Sequence, residues 1–175
     1  METTLQDLKT RRSIRSFRPE QVKEEDLQKI LEAGVYAPSG MGQQPTKIVV
    51  IQDQETIRQL SRMNASFFPT PRDGDPFYGA PTVLVVLADK GRPTCVEDGS
   101  LVMGNLLNAA HAVGVGSCWV HRAREEFDSP EGKALLKKWG IEGDYIGVGH
   151  CILGYPRTEA PAAKPRKPDA VVYVR

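Results

Sequence analysis

Cysteine is scarce in this chain of 175 residues: Cys95, Cys118 and Cys151 are scattered, with no pairing rhythm. That excludes a disulfide framework and makes a reducing cytoplasm the expected compartment. Charge of one sign is missing as well, with 23 Lys+Arg against 22 Asp+Glu. Such balance exerts no long-range pull on nucleic acid or an anionic membrane, so any anion must be held by a local cluster. No apolar run approaches the roughly 20 residues of a membrane helix. The start, Met1-Glu2-Thr3-Thr4, lacks the basic-then-apolar pattern of a signal peptide. Neither a nucleic-acid nor a membrane partner is expected. No Gly-x-Gly-x-x-Gly follows a strand, which disfavours a dinucleotide Rossmann site, and there is no Walker loop or Gly-x-Ser-x-Gly elbow. A metal site is also unexpected. Cys118 and His121 differ by an odd number and His150 adjoins Cys151, so on strands each pair faces opposite sides. Buried thiols and hydrogen-bonded histidines are the simpler reading.

What is present fits one globular domain spanning 1–175, at 40% hydrophobic and 26% charged residues. Leu5 and Leu8 mark a short helix ending near Arg11. Leu27, Ile30, Leu31 and Val35 recur at helical spacing and predict a helix over 24–36, with acids in its first turn. Residues 47–51 and 82–88 are apolar runs and predict strands. Between them Asp53 is placed to cap a helix whose inner face carries Ile57 and Leu60. Residues 97–113 predict a long helix, apolar nearly all round, buried in the core or against a second subunit. Strands are predicted over 116–121 and 145–153, a helix over 130–139 between them, and a last strand over 171–174. Helices before and between strands make the class α+β or mixed α/β. The tail after Gly154 holds Pro156, Pro161, Pro165 and Pro168 and suits wrapping over a partner subunit.

Two basic clusters stand out. Arg11, Arg12 and Arg15 lie within five residues, with Ser13 between them, and Lys164, Arg166 and Lys167 lie at the far end. Arginine forks match phosphate oxygens; they also decorate ordinary surfaces. The loop Pro38-Ser39-Gly40-Met41-Gly42-Gln43-Gln44 is neutral and polar, and its glycines allow close backbone approach to a flat ligand. A plain turn fits it equally. Residues 66–81 form an unusually long loop with Phe67, Phe68, Phe77 and Tyr78. This loop, with Phe77 and Tyr78, is a candidate acceptor pocket; aromatics plugging the core edge fit it equally.

Together these segments resemble the nitroreductase family of FMN-dependent enzymes. The likeness runs from Arg11-Arg12-Ser13-Ile14-Arg15-Ser16-Phe17 through Ala37-Pro38-Ser39-Gly40 and Gln44-Pro45. It resumes at Gly79-Ala80-Pro81, at Gly116-Ser117-Cys118-Trp119, at Gly154-Tyr155-Pro156 and at Lys164-Pro165-Arg166-Lys167. It implies an α+β fold, a nitroreductase-like α/β sandwich with a central, mainly antiparallel sheet flanked by helices. It also implies an intertwined homodimer with FMN at the interface. By the resemblance, Arg11, Arg12 and Ser13 hold the phosphate and ribityl chain and Arg15 reaches the isoalloxazine ring. Pro38, Ser39 and Gly40 come from the other protomer, and Gln44 joins the cofactor-binding set. Cys118, Trp119 and Val120 line the ring from the strand side, Asn64 meets its pyrimidine edge, and Arg166 with Lys167 completes the phosphate site. The implied reaction is ping-pong: hydride passes from NADH or NADPH through the flavin to an electron-poor acceptor, such as a nitroaromatic or quinone. No catalytic side chain is nominated, since the flavin carries the chemistry. The fold also hosts enone reduction, reductive dehalogenation, flavin breakdown and non-enzymatic FMN binding. Gly42 and Thr46 stand where the family often has Asn and Trp.

Overall fold

The apolar run at 82–88 is strand β2 (Thr82–Asp89) in the computed structural model, which describes residues 2–69 and 74–175. Successive side chains on a strand point to opposite faces, and here both faces are covered. Val83, Val85 and Leu87 enter one core; Leu84, Val86 and Ala88 enter the other. Strand β1 (Thr46–Ile51) pairs with one edge of β2, and a ten-residue strand (Tyr145–Gly154) pairs with its other edge. Gly116–Val120 is β3, which makes the ten-residue strand β4. All pairings are antiparallel, in the order β1-β2-β4-β3.

Helices α2 (Glu24–Val35) and α4 (Cys95–Ala112) pack on one face through Leu27, Ile30, Val102, Met103 and Leu106. Helices α3 (Gln54–Ser66), α5 (Ala123–Asp128) and α6 (Pro130–Lys138) cover the other through Ile57, Leu60, Phe127, Leu135 and Leu136. Each large apolar side chain so buried contributes about 1.5–3 kcal/mol. Gly99 lets α4 come close to β4, since a Cβ there would collide with Val148. Helix α1 (Glu2–Thr10) rests on α4, with Thr10 Oγ1 at 2.8 Å from His111 Nε2. The architecture is the expected α+β sandwich around an antiparallel sheet.

Local rules explain the helix ends. Asp53 caps α3 as predicted, accepting from Thr56 N at 2.8 Å and Thr56 Oγ1 at 2.7 Å. Ser129 caps α6 from Gly132 N, with Pro130 opening the helix. One expectation fails and one element is unforeseen. Helix α5, only six residues long, is absent from the sequence reading. The last strand predicted over 171–174 does not form: Val171, Val172, Tyr173 and Val174 are exposed and pair with no strand. The whole stretch 157–175 is exposed in the single chain. Among the described residues no helix is long and apolar enough to cross a membrane.

Candidate functional site

Segment 11–18 lies along the outer edge of β3. Ser13 bridges Ser117 in parallel, Ile14 N donates to Ser117 O at 2.9 Å, and Phe17 bridges Pro156. Ile14 and Phe17 are buried and act as pegs, which fixes the arginines around them. Arg12 Nη1 donates to Lys9 O at 2.8 Å and Arg11 O at 2.6 Å, closing the C-terminus of α1. Three donors nearby are nevertheless buried without an acceptor: Arg11 Nη1, Arg12 Nε and Trp119 Nε1. Buried donors are nearly always paired, so this edge is built for acceptors that the chain itself does not supply. Gly149 makes room for the indole, because a Cβ there would collide with Trp119 Nε1.

A cleft of about 500 Å³ opens at Trp119 and Arg15. Cys118, Trp119, Val120 and His121 line it together with Arg15 and Tyr78. A second hollow of about 550 Å³ adjoins it, sharing Arg15, Gly74, Asp75 and Tyr78 and adding Ser16, Gly79 and Arg157. Asp75 shapes the shared wall. Its Oδ1 accepts from Ser61 Oγ and Phe77 N, and its Oδ2 accepts from Gly79 N. That turn holds Tyr78 at φ 56°, a left-handed conformation that costs a non-glycine residue about 1–3 kcal/mol. Behind the wall, burial pushes the Cys151 thiol far above its usual range; neighbouring Cys118 adds to the rise and Arg11 opposes it.

The remaining predicted residues divide. Pro38, Ser39, Gly40 and Gln44 sit in a separate loop after α2, where Ser39 Oγ accepts from Gln44 N at 2.9 Å. Gly40 N donates to buried Asp98 at 2.8 Å. Within one chain this loop does not border the cleft. Nor do Arg166 and Lys167, which lie in the exposed tail. Asn64 is a correction. It is fully buried, and its amide donates to His121 O at 2.7 Å and to Glu126 Oε1, so it braces the cleft from behind. Phe77 is another: it is a core residue whose ring lies 5.0 Å from that of His150. Of that aromatic pair only Tyr78 borders the cleft. Residues 70–73 of the predicted loop lie outside the described ones.

Phe68 and Pro76 fall within the loop nominated for the acceptor pocket, but sequence reasoning missed His121 and Arg157 as wall residues. His121 directly follows a recognised strand and Arg157 directly follows Gly154-Tyr155-Pro156, so proximity to known segments was the available signal.

A sequence model of the nitroreductase family matches residues 8–155. A Thermus thermophilus protein named NADH dehydrogenase is 43% identical over 159 residues, covering 87% of this chain and 71% of its own length. A Bacteroides fragilis nitroreductase crystallised with bound FMN superposes with a TM-score of 0.89 at 27% identity, covering 98% of both chains. A Desulfitobacterium hafniense nitroreductase, also with bound FMN, gives a TM-score of 0.89 at 26% identity over 100% of both. The sequence match spans the arginine segment, the sheet and the Gly154-Tyr155 turn, and the fold agrees over nearly the full length: the chain belongs to the nitroreductase family.

Proposed function

We propose that the chain is an FMN-dependent oxidoreductase, a single FMN-binding unit over 1–175 that works as a homodimer with the cofactor at the interface. The observation that carries this reading is the set of unpaired donors at one edge: Arg11 Nη1, Arg12 Nε and Trp119 Nε1. Two guanidinium donors suit a phosphate. Trp119 lines a cleft of about 500 Å³ beside Arg15, room for a flat ring, while its indole N–H is packed over Gly149. The residues present therefore fit FMN.

Arg11, Arg12 and Ser13 would hold the phosphate and ribityl chain, and Cys118, Trp119 and Val120 would flank the ring. Arg15, which makes no hydrogen bond or ion pair among the described residues, would put a cation near the ring's pyrimidine side and favour its anionic reduced form. Bound FMN supplies the redox chemistry, taking a hydride from NADH or NADPH and passing electrons to an electron-poor acceptor such as a nitroaromatic or quinone. The chain's share is to bind, to orient and to shape the cleft in which the acceptor meets the ring.

Dimerisation would complete the site. Val35, Tyr36, Met41 and Leu101 are large apolar side chains exposed near the 38–44 loop and α4, which favours covering by a second copy. The exposed tail would cross to that copy and bring Arg166 and Lys167 to the phosphate, while Pro38, Ser39, Gly40 and Gln44 would approach the partner's cofactor. Three free thiols suit a reducing compartment, and we place the enzyme in the cytoplasm. Purification tests this reading. A yellow, dimeric protein that oxidises NADH or NADPH in the presence of a quinone supports it. A colourless monomer that takes up no FMN on titration refutes it.

A further inference from the structure

We propose that the hollow adjoining the main cleft is a recognition subsite for an oxyanion carried by a planar ligand, with Arg157 as the residue that grips it. This rests on the reading that the main cleft holds the flavin ring. The two hollows share Arg15, Gly74, Asp75 and Tyr78 in their walls, so they are neighbours. A flat molecule lying against the ring would extend its far end into the second hollow, toward Arg157.

Arg157 is prepared for that role. Its backbone N donates to Ser16 O at 3.0 Å and its Nε donates to Phe17 O at 3.1 Å, so the base of the guanidinium is anchored. Among the described residues no acceptor meets its two terminal nitrogens. A guanidinium held by Nε presents those nitrogens as a two-pronged donor, which matches the two oxygens of a carboxylate or phosphate. Among the described residues the carboxylate lining the hollow is Asp75, which is already occupied by Ser61 Oγ, Phe77 N and Gly79 N. Arg15 adds a second cation on the same wall. Tyr78 offers the planar ligand an aromatic surface, and its left-handed backbone shows that the turn is held in place against local preference.

Two sources could bring the oxyanion: a carboxylate on an aromatic acceptor, or a phosphate of the nicotinamide nucleotide. The test measures kcat/KM for 4-nitrobenzoate and nitrobenzene, each with NADH and with NADPH, in wild type, Arg157→Gln and Arg157→Lys. Thermal midpoints check folding. Benzoate binding is followed separately by tryptophan fluorescence, without any reductant. The proposal expects Arg157→Gln to lower the 4-nitrobenzoate/nitrobenzene ratio roughly ten-fold or more, chiefly through KM, and to weaken benzoate binding similarly. Arg157→Lys should recover only part of both, because it keeps the charge and loses the fork. A fall in the NADPH/NADH ratio instead would assign the same subsite to a nucleotide phosphate. If neither ratio moves and benzoate binds alike in all three proteins, the subsite does not exist. A protein that takes up no FMN yet binds benzoate through Arg157 would refute the flavin reading and leave the subsite standing.

Discussion

His150 Nε2 lies 2.9 Å from Glu126 Oε1, with both side chains fully buried beneath the cleft wall. Asn64 donates to the same carboxylate and to the carbonyl of His121, so one buried cluster ties α3, α5 and β4 to the end of β3. Removing the carboxylate strands both partners without solvent. Glu126→Ala should therefore cost about 1–3 kcal/mol for each group left unsatisfied, and Glu126→Gln, which keeps an acceptor in the same volume, should cost less. Urea unfolding of the two variants checks this; equal stability of Glu126→Ala and wild type would contradict it.

The Gly149 backbone and the Trp119 indole occupy adjoining space. Gly149→Ala forces the ring or β4 to move and should destabilise by about 1–3 kcal/mol, as over-packing does. The displaced ring should also change its fluorescence and weaken FMN binding. A variant with unchanged fluorescence and affinity would show that the wall tolerates the methyl group.

The Cys151 thiol gives a pH prediction. Burial raises its folded pKa well above the unfolded value of about 8.5. The folded chain then keeps a proton that the unfolded chain loses, so this group's contribution is full below about pH 8.5 and falls as pH rises beyond it, by at most about 1.4 kcal/mol per pH unit. Cys151→Ala should lose less stability between pH 8 and 10 than wild type does, measured by thermal midpoints; equal losses would contradict the assignment. At pH 8, partly exposed Cys95 should alkylate before Cys118 or Cys151.

Much of this was legible in the sequence, for identifiable reasons. Strand β2 reads as a buried strand because both its faces are apolar, and α3 reads correctly because Asp53 sits one position before a periodic run. The basic segment was recognisable, but which donors lack partners was not, since that depends on how Ile14 and Phe17 peg it to β3. Asn64 and Phe77 were misplaced because whether a helix-end or loop residue points inward depends on distant partners, here Glu126 and His150. Val171–Val174 has strand-like residues, but residue type alone does not bring a segment to a sheet edge, and here the segment stays exposed and pairs with no strand.

The exposed tail yields a prediction about assembly. Deleting 158–175 should lower FMN affinity and weaken the dimer together, because the proposed tail contacts serve both. Sedimentation of wild type and the truncated protein with and without FMN would show it. A truncated protein that stays dimeric and binds FMN normally would remove the tail from the site.

The most direct measurement is FMN titration of the wild type, Arg12→Ala and Arg11→Ala, followed by flavin fluorescence, with the oligomeric state recorded alongside. Each charge-assisted bond to a phosphate is worth about 1.5–3 kcal/mol, so each variant should bind FMN about 10- to 100-fold more weakly while remaining folded. Affinity unchanged in both would mean that Arg11 Nη1 and Arg12 Nε do not meet the phosphate, and the flavin site proposed at this edge would be wrong.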